Sequence, residues 1–259
     1  MPMPAPREGA DARTATDRTL RTHGLTWLLL VTYGAVNVVL FVLAVLRYHA
    51  LGAPWPILLA RGCGACLNFH GALVLLPMLR WTLTALGRTA LGRVLIDDHV
   101  GFHRVVGSVA LVLGVVHGAA HFVTYTAYAQ GLAAGLATLA GATGLGLLLV
   151  HLALWGFAQE PIRRRTGRFE LFALTHRLYP LWVVGMLVHG PVAWMWMSIP
   201  LCAFVFDRVF GRRVRRSRVL AIDALPERVT RLRLAKPEGF DHRVADYVYL
   251  RVPAISRLE

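Results

Sequence analysis

The sequence predicts an all-α membrane protein, a bundle of six transmembrane helices followed by a short β-type C-terminal segment. Hydrophobic residues make up 56% of the chain and charged residues only 16%, whereas about a quarter of the residues in a soluble domain are charged. Six apolar stretches are long enough, or nearly so, to cross a bilayer core about 30 Å thick. Only helices are suitable spans here, because lipid offers no partner to an unpaired backbone amide.

The predicted spans are joined by short turns and by loops that carry arginine. They cover residues 27–46, 57–79, 102–122, 132–157, 171–188 and 192–210. Between the second and third spans, residues 81–99 mix Trp81 and several leucines with Arg88 and Arg93. That mixture is typical of a helix lying in the membrane interface. We therefore expect membrane lipid to surround most of the chain.

The arginine-rich loops predict the orientation of the bundle. Arginines precede span one, lie between spans two and three and between four and five, and follow span six, while the other loops hold only Arg47. The positive-inside rule then places both termini in the cytoplasm. The net charge of +14 does not indicate nucleic-acid binding, because the arginines lie between apolar spans and form no single stripe.

The chain divides into three parts by composition. Residues 1–23 are polar and rich in Pro, Ala and Arg, without the apolar core of a signal peptide, so we expect a disordered cytoplasmic tail. The six helices occupy residues 24–212. Residues 213–259 contain short β-type segments separated by turn residues, which predict the opening of a soluble β domain too short to bury its own core. These segments are Val219–Ile222, Val229–Leu234 and Tyr247–Val252.

Four histidines stand out in the third and fifth spans. His103 and His117 are 14 residues apart, and His176 and His189 are 13 apart, so each pair covers roughly 20 Å of helix. Both spans run from inside to outside, which matches His103 in depth with His176 and His117 with His189. Since neutral imidazole is a strong axial ligand of haem iron, the pattern predicts two stacked bis-histidine haems. The alternative is four unrelated core histidines with hydrogen-bond partners.

The spacing of the second pair conflicts with a regular helix. Fourteen residues return to within about 40° of the same helix face, but 13 residues miss it by about 140°. Pro180 offers a local cause, because its ring clashes with the carbonyl of His176 and removes a hydrogen bond. We predict a kink or an overwound turn beside Pro180, or two haems approached from different directions.

Three further side chains lie at informative positions. His121 follows His117 by one helical turn, and Arg61 lies near the outer end of the second span at similar depth. Together they would form a cationic pocket able to stabilise charge on a reduced small molecule such as oxygen; the alternatives are a snorkelling arginine and an incomplete zinc pair. Trp182 lies midway between His176 and His189, where it could bridge two haems or simply pack in the core.

Several stretches of the chain carry recognisable motifs. They are Ala60–His70, Leu75–Arg80, Phe102–Val106, His117–His121, Thr175–Leu178, Val188–Gly190 and Tyr247–Pro253. Together these stretches resemble the transmembrane helices and the first barrel strands of the NADPH oxidases, which are ferric-reductase-like membrane proteins. The resemblance covers nearly the whole chain from about residue 25.

The resemblance implies a function and roles for the residues above. The family moves electrons from NADPH through FAD and two b haems to molecular oxygen outside, giving superoxide. The four histidines would then ligate the two haems, His103 with His176 on the inner side. Arg61 and His121 would line the oxygen-reducing site, and Trp182 would lie between the haems. The composition, in which Lys236 is the only lysine, suggests a GC-rich genome and hence a prokaryotic member in a bacterial inner or plasma membrane.

The chain also departs from the family pattern. Ala245-Asp246 stands where the barrel strand usually carries Gly-Gln, and the flavin motif and the NADPH domain are missing up to Glu259. We therefore expect a chain truncated early in the FAD-binding barrel, which holds haem but needs a cytoplasmic flavin/NADPH dehydrogenase domain as partner. Three alternatives remain open: a ferric or other metal reductase, a haem subunit fed by a separate flavoprotein or quinol, and a haem-free proton or ion channel.

Overall fold

A computed structural model describes residues 8–86, 99–129, 131–163, 168–210, 216–226 and 229–240. Its helices are α1 (Glu8–Ala50), α2 (Trp55–Leu73), a 3₁₀ turn (Leu76–Met78), α3 (Arg80–Leu86), α4 (His99–Ala127), α5 (Leu132–Ala137), α6 (Leu139–Phe157), α7 (Glu160–Arg163), α8 (Phe169–His176), α9 (Tyr179–His189) and α10 (Pro191–Phe210). Two strands follow, β1 (Val219–Leu225) and β2 (Val229–Leu234).

Six helical stretches of the described chain are long and apolar enough to cross a membrane, which confirms the six predicted spans. They are Thr26–Ala50, Trp55–Met78, His99–Ala127, Leu139–Phe157, Phe169–His189 and Pro191–Phe210. Many large apolar side chains on them are exposed, among them Met195 and Ile199. In a bilayer this exposure is expected, because lipid tails solvate such side chains as well as a protein core does.

The first helix begins earlier than expected. We predicted a disordered tail over residues 1–23, whereas α1 starts at Glu8. Between residues 8 and 23, alanine holds most of the apolar positions and arginine half of the charged ones, and both have high helix propensity. Since proline is absent between Glu8 and the first span, the transmembrane helix can extend towards the N-terminus.

Small residues allow α2 to lie at the centre of the bundle, where it packs against α1, α4 and α10. The side of α2 that faces its neighbours is built largely from Ala, Gly and Cys, which are buried. At Gly62 an added Cβ would come within 2.5 Å of the Phe41 ring of α1. Close helix approach in lipid depends on such small residues, so α2 can contact three helices at once.

The fifth span is divided between α8 and α9, and the division confirms the predicted overwound turn beside Pro180. Backbone hydrogen bonds there run from i to i−3, with the Arg177 N–H donating to the Leu174 carbonyl at 3.2 Å and the Leu178 N–H to the Thr175 carbonyl at 3.0 Å. Such 3₁₀ bonds turn the chain by about 120° per residue, against about 100° in an α-helix. The extra twist reduces the angular offset between the two histidines of this span.

The C-terminal part begins as predicted, with an antiparallel pair of strands. β1 pairs with β2, and Asp223 bonds Arg231 across the pair at 3.1 Å. A turn at Pro237–Gly239 follows β2, with the Phe240 N–H donating to the Pro237 carbonyl at 3.1 Å and Gly239 at a φ of 63°. The predicted segment Tyr247–Val252 and most of the expected interface helix, residues 87–98, lie outside the described residues.

One carboxylate joins the end of α10 to the start of α3. Asp207 is only 6% exposed, and it accepts hydrogen bonds from the Trp81 N–H at 2.8 Å and the Thr82 N–H at 3.2 Å. The Thr82 hydroxyl donates a third bond at 2.7 Å. These backbone N–H groups belong to the first turn of α3, which has no earlier helical turn to satisfy them. Asp207 thus caps a helix more than a hundred residues away in sequence.

We expect Asp207→Ala to destabilise the protein by about 1 kcal/mol or more, because it leaves first-turn N–H groups of α3 without acceptors in a buried place. The measurement is thermal unfolding of the detergent-solubilised chain by circular dichroism. Asp223→Ala is the matched control, since Asp223 forms exposed ion pairs of the kind that contribute little. Equal melting temperatures for the two variants would contradict the capping role.

Candidate functional site

The structure brings the four histidines together in the two predicted pairs. The ring centroids of His103 on α4 and His176 on α8 are 6.1 Å apart. The centroids of His117 on α4 and His189 on α9 are also 6.1 Å apart. Equal separations at two levels, with the earlier histidine of one span opposite the earlier histidine of the other, mean that α4 runs parallel to the α8–α9 segment, as the loop charges predict.

The separation within each pair suits a metal ion held between two imidazoles. An imidazole–metal bond is about 2 Å long, and the coordinating nitrogen lies about 1 Å from its ring centroid, so two opposed ligands put their centroids about 6 Å apart. Within the described residues no group of three or more His, Cys, Asp or Glu side chains is placed to hold a metal ion. Two protein ligands suit haem iron, whose remaining ligands come from the porphyrin.

Hydrogen bonds fix the protonation of the outer pair. The Nδ1 atom of His117 lies 2.8 Å from the Ala60 carbonyl oxygen, which can only accept, so Nδ1 carries the proton. His189 Nδ1 lies 3.0 Å from the Thr143 hydroxyl, whose own proton is donated to the Leu139 carbonyl at 2.6 Å. Both neutral imidazoles therefore keep the Nε2 lone pair for a ligand, and partners of this kind orient metal-binding histidines.

The inner pair has a different environment. The Nδ1 atoms of His103 and His176 are buried and have no hydrogen-bond partner among the residues that the structure describes. The Phe172 ring lies 5.1 Å from the His176 ring and covers one side of it. The Val74 carbonyl lies near the His103 ring as a possible acceptor, but a buried ring nitrogen without a hydrogen bond is costly in lipid. A bound metal would offset that cost, so this pair also fits a ligand role.

Two glycines provide room for the outer histidine rings. At Gly64 on α2 an added Cβ would lie 3.4 Å from Cε1 of His117. At Gly144 on α6 the same addition would lie 2.9 Å from Cε1 of His189, closer than real Cβ atoms approach. The backbone of these helices can therefore reach the edge of each ring, which a side chain would prevent.

The two residues predicted for the outer pocket lie beside the outer pair. The His121 ring centroid is 4.6 Å from that of His117, and on its other side His121 stacks on Tyr125 at 5.8 Å. The Arg61 guanidinium is exposed and lies 4.9 Å above the Tyr48 ring, and its charge acts on both His117 and His121. The outer end of the bundle therefore combines a fixed cation with a polar ring.

Trp182 lies between the two pairs along the fifth span, as predicted. Its indole is 7% exposed and belongs to the buried apolar cluster of the bundle. The other members of that cluster are Leu75, Val183, Met186, Ala193 and Met197.

Two further histidines inside the spans, one buried and one partly buried, were not assigned from the sequence. His70 on α2 is fully buried; its Nδ1–H donates to the Cys66 carbonyl at 2.7 Å, and its Nε2 accepts the Tyr33 hydroxyl proton at 2.6 Å. His151 on α6 contacts both Trp182 and α4. Each is a lone histidine within an apolar helix, and lone polar residues in a membrane span are the available signal.

Comparison with known proteins agrees with this arrangement. Residues 19–187 match the family model described as ferric reductase like transmembrane component. The chain is a member of the ferric-reductase-like transmembrane family.

Relatives in this family include NADPH oxidases. NADPH oxidase 5 from Homo sapiens is 35% identical over 250 residues, covering 89% of this chain and 32% of that protein. Dual oxidase 1 from Homo sapiens is 30% identical over 237 residues, covering 78% of this chain and 15% of that protein. Respiratory burst oxidase homolog protein E from Arabidopsis thaliana is 28% identical over 285 residues, covering 90% and 30% respectively. The chain therefore spans a third or less of these relatives.

We expect Gly144→Ala to disturb the outer histidine pair selectively, because the new methyl group would displace the His189 ring from its position opposite His117. Gly146→Ala, two residues along α6, is the matched control, since its added Cβ meets nothing within 4 Å. The measurement is haem binding by the purified chain, followed by absorption spectroscopy. A Gly144→Ala protein with the same spectrum as the control would show that the ring has room to move.

Proposed function

We propose that this chain is the membrane domain of an NADPH oxidase-type oxidoreductase, which carries electrons across the membrane to oxygen on the outer face and yields superoxide. The observation that carries the proposal is the repeated histidine pair, with a centroid separation of 6.1 Å at two levels of one parallel pair of spans. The proposed haem domain occupies residues 24–212, and the described strands β1 and β2 begin the segment that leads to a flavin-binding barrel.

The proposed ligands are four neutral imidazoles. His103 and His176 would hold an inner haem b, and His117 and His189 an outer one. When bound, the two haems supply one-electron carriers at two depths of the bilayer. Ala60 and Thr143 hold the outer imidazoles in the tautomer that leaves Nε2 free. Trp182 would lie in the apolar interval between the pairs and exclude water from it.

The outer end has the chemistry to receive a small acceptor. An acceptor would approach the outer histidine pair where Arg61 and His121 lie beside it, and these two side chains would line its path. Positive charge there stabilises negative charge as it develops on reduced oxygen. His121 would offer an N–H donor to the same molecule. Tyr125 stacks on the His121 ring, and the Tyr48 ring contacts the Arg61 guanidinium.

The proposal includes an orientation and a partner. The membrane would be that of a bacterial cell. Both termini would lie in the cytoplasm, because the arginine-rich loops alternate with loops that hold only Arg47. Electrons would come from a cytoplasmic module that binds FAD and oxidises NADPH. That module would approach the inner histidine pair, next to the end of α10 from which β1 and β2 continue.

The histidine assignments are tested by absorption spectroscopy of the purified chain. We expect low-spin bis-histidine b-type bands at two haems per chain. His103→Ala and His117→Ala should each lose about one haem, because one axial ligand of a different pair is removed. His49→Ala, at an exposed position on α1, is the control. A wild-type chain that binds no haem would refute the proposal and favour the channel alternative.

The outer acceptor site is tested on the haem-loaded chain after anaerobic reduction with dithionite and removal of the excess. Mixing with oxygen should oxidise the wild-type chain and yield superoxide, measured by dye reduction sensitive to superoxide dismutase. We expect Arg61→Gln and His121→Gln to slow this oxidation roughly tenfold or more, through loss of charge stabilisation and of a donor. Arg47→Gln is the control, an exposed arginine at the same end of the α1–α2 pair.

The same experiment separates oxygen from metal as the acceptor. Under nitrogen, a ferric chelate replaces oxygen. Oxidation by the chelate that is faster than by oxygen and insensitive to Arg61→Gln would favour the ferric reductase alternative.

A further inference from the structure

We propose that His151 is a positioning residue for electron transfer between the two histidine pairs, and that it acts by holding the Trp182 indole in the interval between them. This inference rests on the proposed function, in which that interval separates two haems. His151 has no counterpart among the predicted ligands. It lies on α6, a helix that contributes none of the four paired histidines.

One nitrogen of His151 is fixed to α4 between the two pairs. Its Nε2 lies 3.1 Å from the carbonyl oxygen of Gly107, and because a carbonyl can only accept, Nε2 carries the proton and donates it. Gly107 lies between His103 and His117 in sequence. The hydrogen bond therefore attaches the imidazole to the stretch of α4 that connects the inner and outer sites.

The ring of His151 contacts Trp182 on α9. The two ring centroids are 5.5 Å apart and the planes meet at 81°, an edge-to-face contact. Trp182 lies between His176 and His189 in sequence. A single imidazole thus joins α4, α6 and α9 within the interval that both histidine pairs bound.

The edge-to-face contact is directional. The other buried members of the cluster that contains Trp182 are Leu75, Val183, Met186, Ala193 and Met197, and dispersion contacts with aliphatic groups favour no particular ring plane. Aromatic pairs prefer defined geometries because their charge distribution is uneven. His151, held by its bond to Gly107, therefore defines the plane of the indole.

The surrounding residues of α6 show that packing alone does not require a histidine. Leu147, Val150 and Leu154 pack against the same cluster, and His151 lies in their stripe, four residues after Leu147, as helical periodicity allows. An apolar side chain would fill this position at lower cost, since polar groups in a bilayer are expensive. The cost is consistent with a role that needs both the N–H group and the ring.

A general tie between α4 and α6 would explain the hydrogen bond but not the contact with Trp182. That tie exists separately one turn further along α6, where Trp155 Nε1 donates to the Ser108 hydroxyl at 3.0 Å. The Trp155 side chain is exposed, and its hydrogen bond also joins α4 to α6. Trp155→Phe therefore removes an α4–α6 hydrogen bond of the same kind without reaching Trp182, and it is the matched control.

The test uses the full chain loaded with haem, in which the redistribution of one electron between the two haems is followed after flash photoreduction. Misplacing a group by about 1 Å can slow a reaction on the order of a hundredfold, and we expect His151→Leu to slow redistribution roughly tenfold at unchanged haem content. His151→Gln keeps a donor for Gly107 but lacks the ring, so it should be slow as well. His151→Phe keeps an aromatic ring against Trp182 but loses the hydrogen bond to Gly107, so it should restore part of the rate.

The outcomes separate the two proposals. A wild-type chain without haem refutes the proposed function, whatever the variants do. Two haems in the wild type with His151→Leu as fast as Trp155→Phe overturn the role of His151. So does a fast His151→Gln beside a slow His151→Phe, because the tie to Gly107 would then be the whole effect. If His151→Leu fails to load haem, the comparison of the Gln and Phe variants decides. In a Trp182→Leu background, His151→Leu should add no further slowing.

Discussion

Two parallel spans have to present imidazoles to each other at two depths, and most of the bundle follows from this requirement. Neutral imidazole groups in lipid need partners, and α4 meets this need for His103 and His117 only if α8 and α9 lie alongside it in the same direction. The parallel arrangement is possible because α6, which lies between α4 and α8 in sequence, returns the chain across the membrane. The small residues of α2 then let it pack against α4 and carry the Ala60 carbonyl to His117.

The inner and outer pairs are not equivalent. His117 and His189 each have a hydrogen-bond acceptor for Nδ1–H. Among the described residues the Nδ1 atoms of His103 and His176 form no hydrogen bond, although the Val74 carbonyl lies near the His103 ring. An acceptor at Nδ1 increases the electron density that the ring offers to a metal, so the outer rings of the proposed haem sites would be held more firmly than the inner ones.

The sequence predicts what lies along each helix much better than what lies between helices. Hydropathy and loop charge place the six spans, and spacing matches His103 with His176, because these signals concern depth. The contacts of His151 depend on the rotation of three helices about their axes, which one sequence does not specify. The cap that Asp207 forms on α3 joins residues 125 or more positions apart, so no local pattern could indicate it. The N-terminal stretch differs from the prediction for a local reason. The polar composition of residues 1–23 predicted disorder, whereas α1 begins at Glu8, where alanine and arginine favour a helix.

The turn between α8 and α9 also has a consequence for length. A 3₁₀ turn rises about 2 Å per residue, against about 1.5 Å in an α-helix. With about three residues in the tighter form, 13 residues from His176 to His189 extend about 21 Å, which is also the rise of 14 α-helical residues from His103 to His117. The tightened turn therefore replaces the missing residue in height, and it recovers about 60° of the roughly 100° that the residue would add in angle. A proline that interrupts a helix here acts as a spacer, keeping two unequal stretches of sequence level with each other across the membrane.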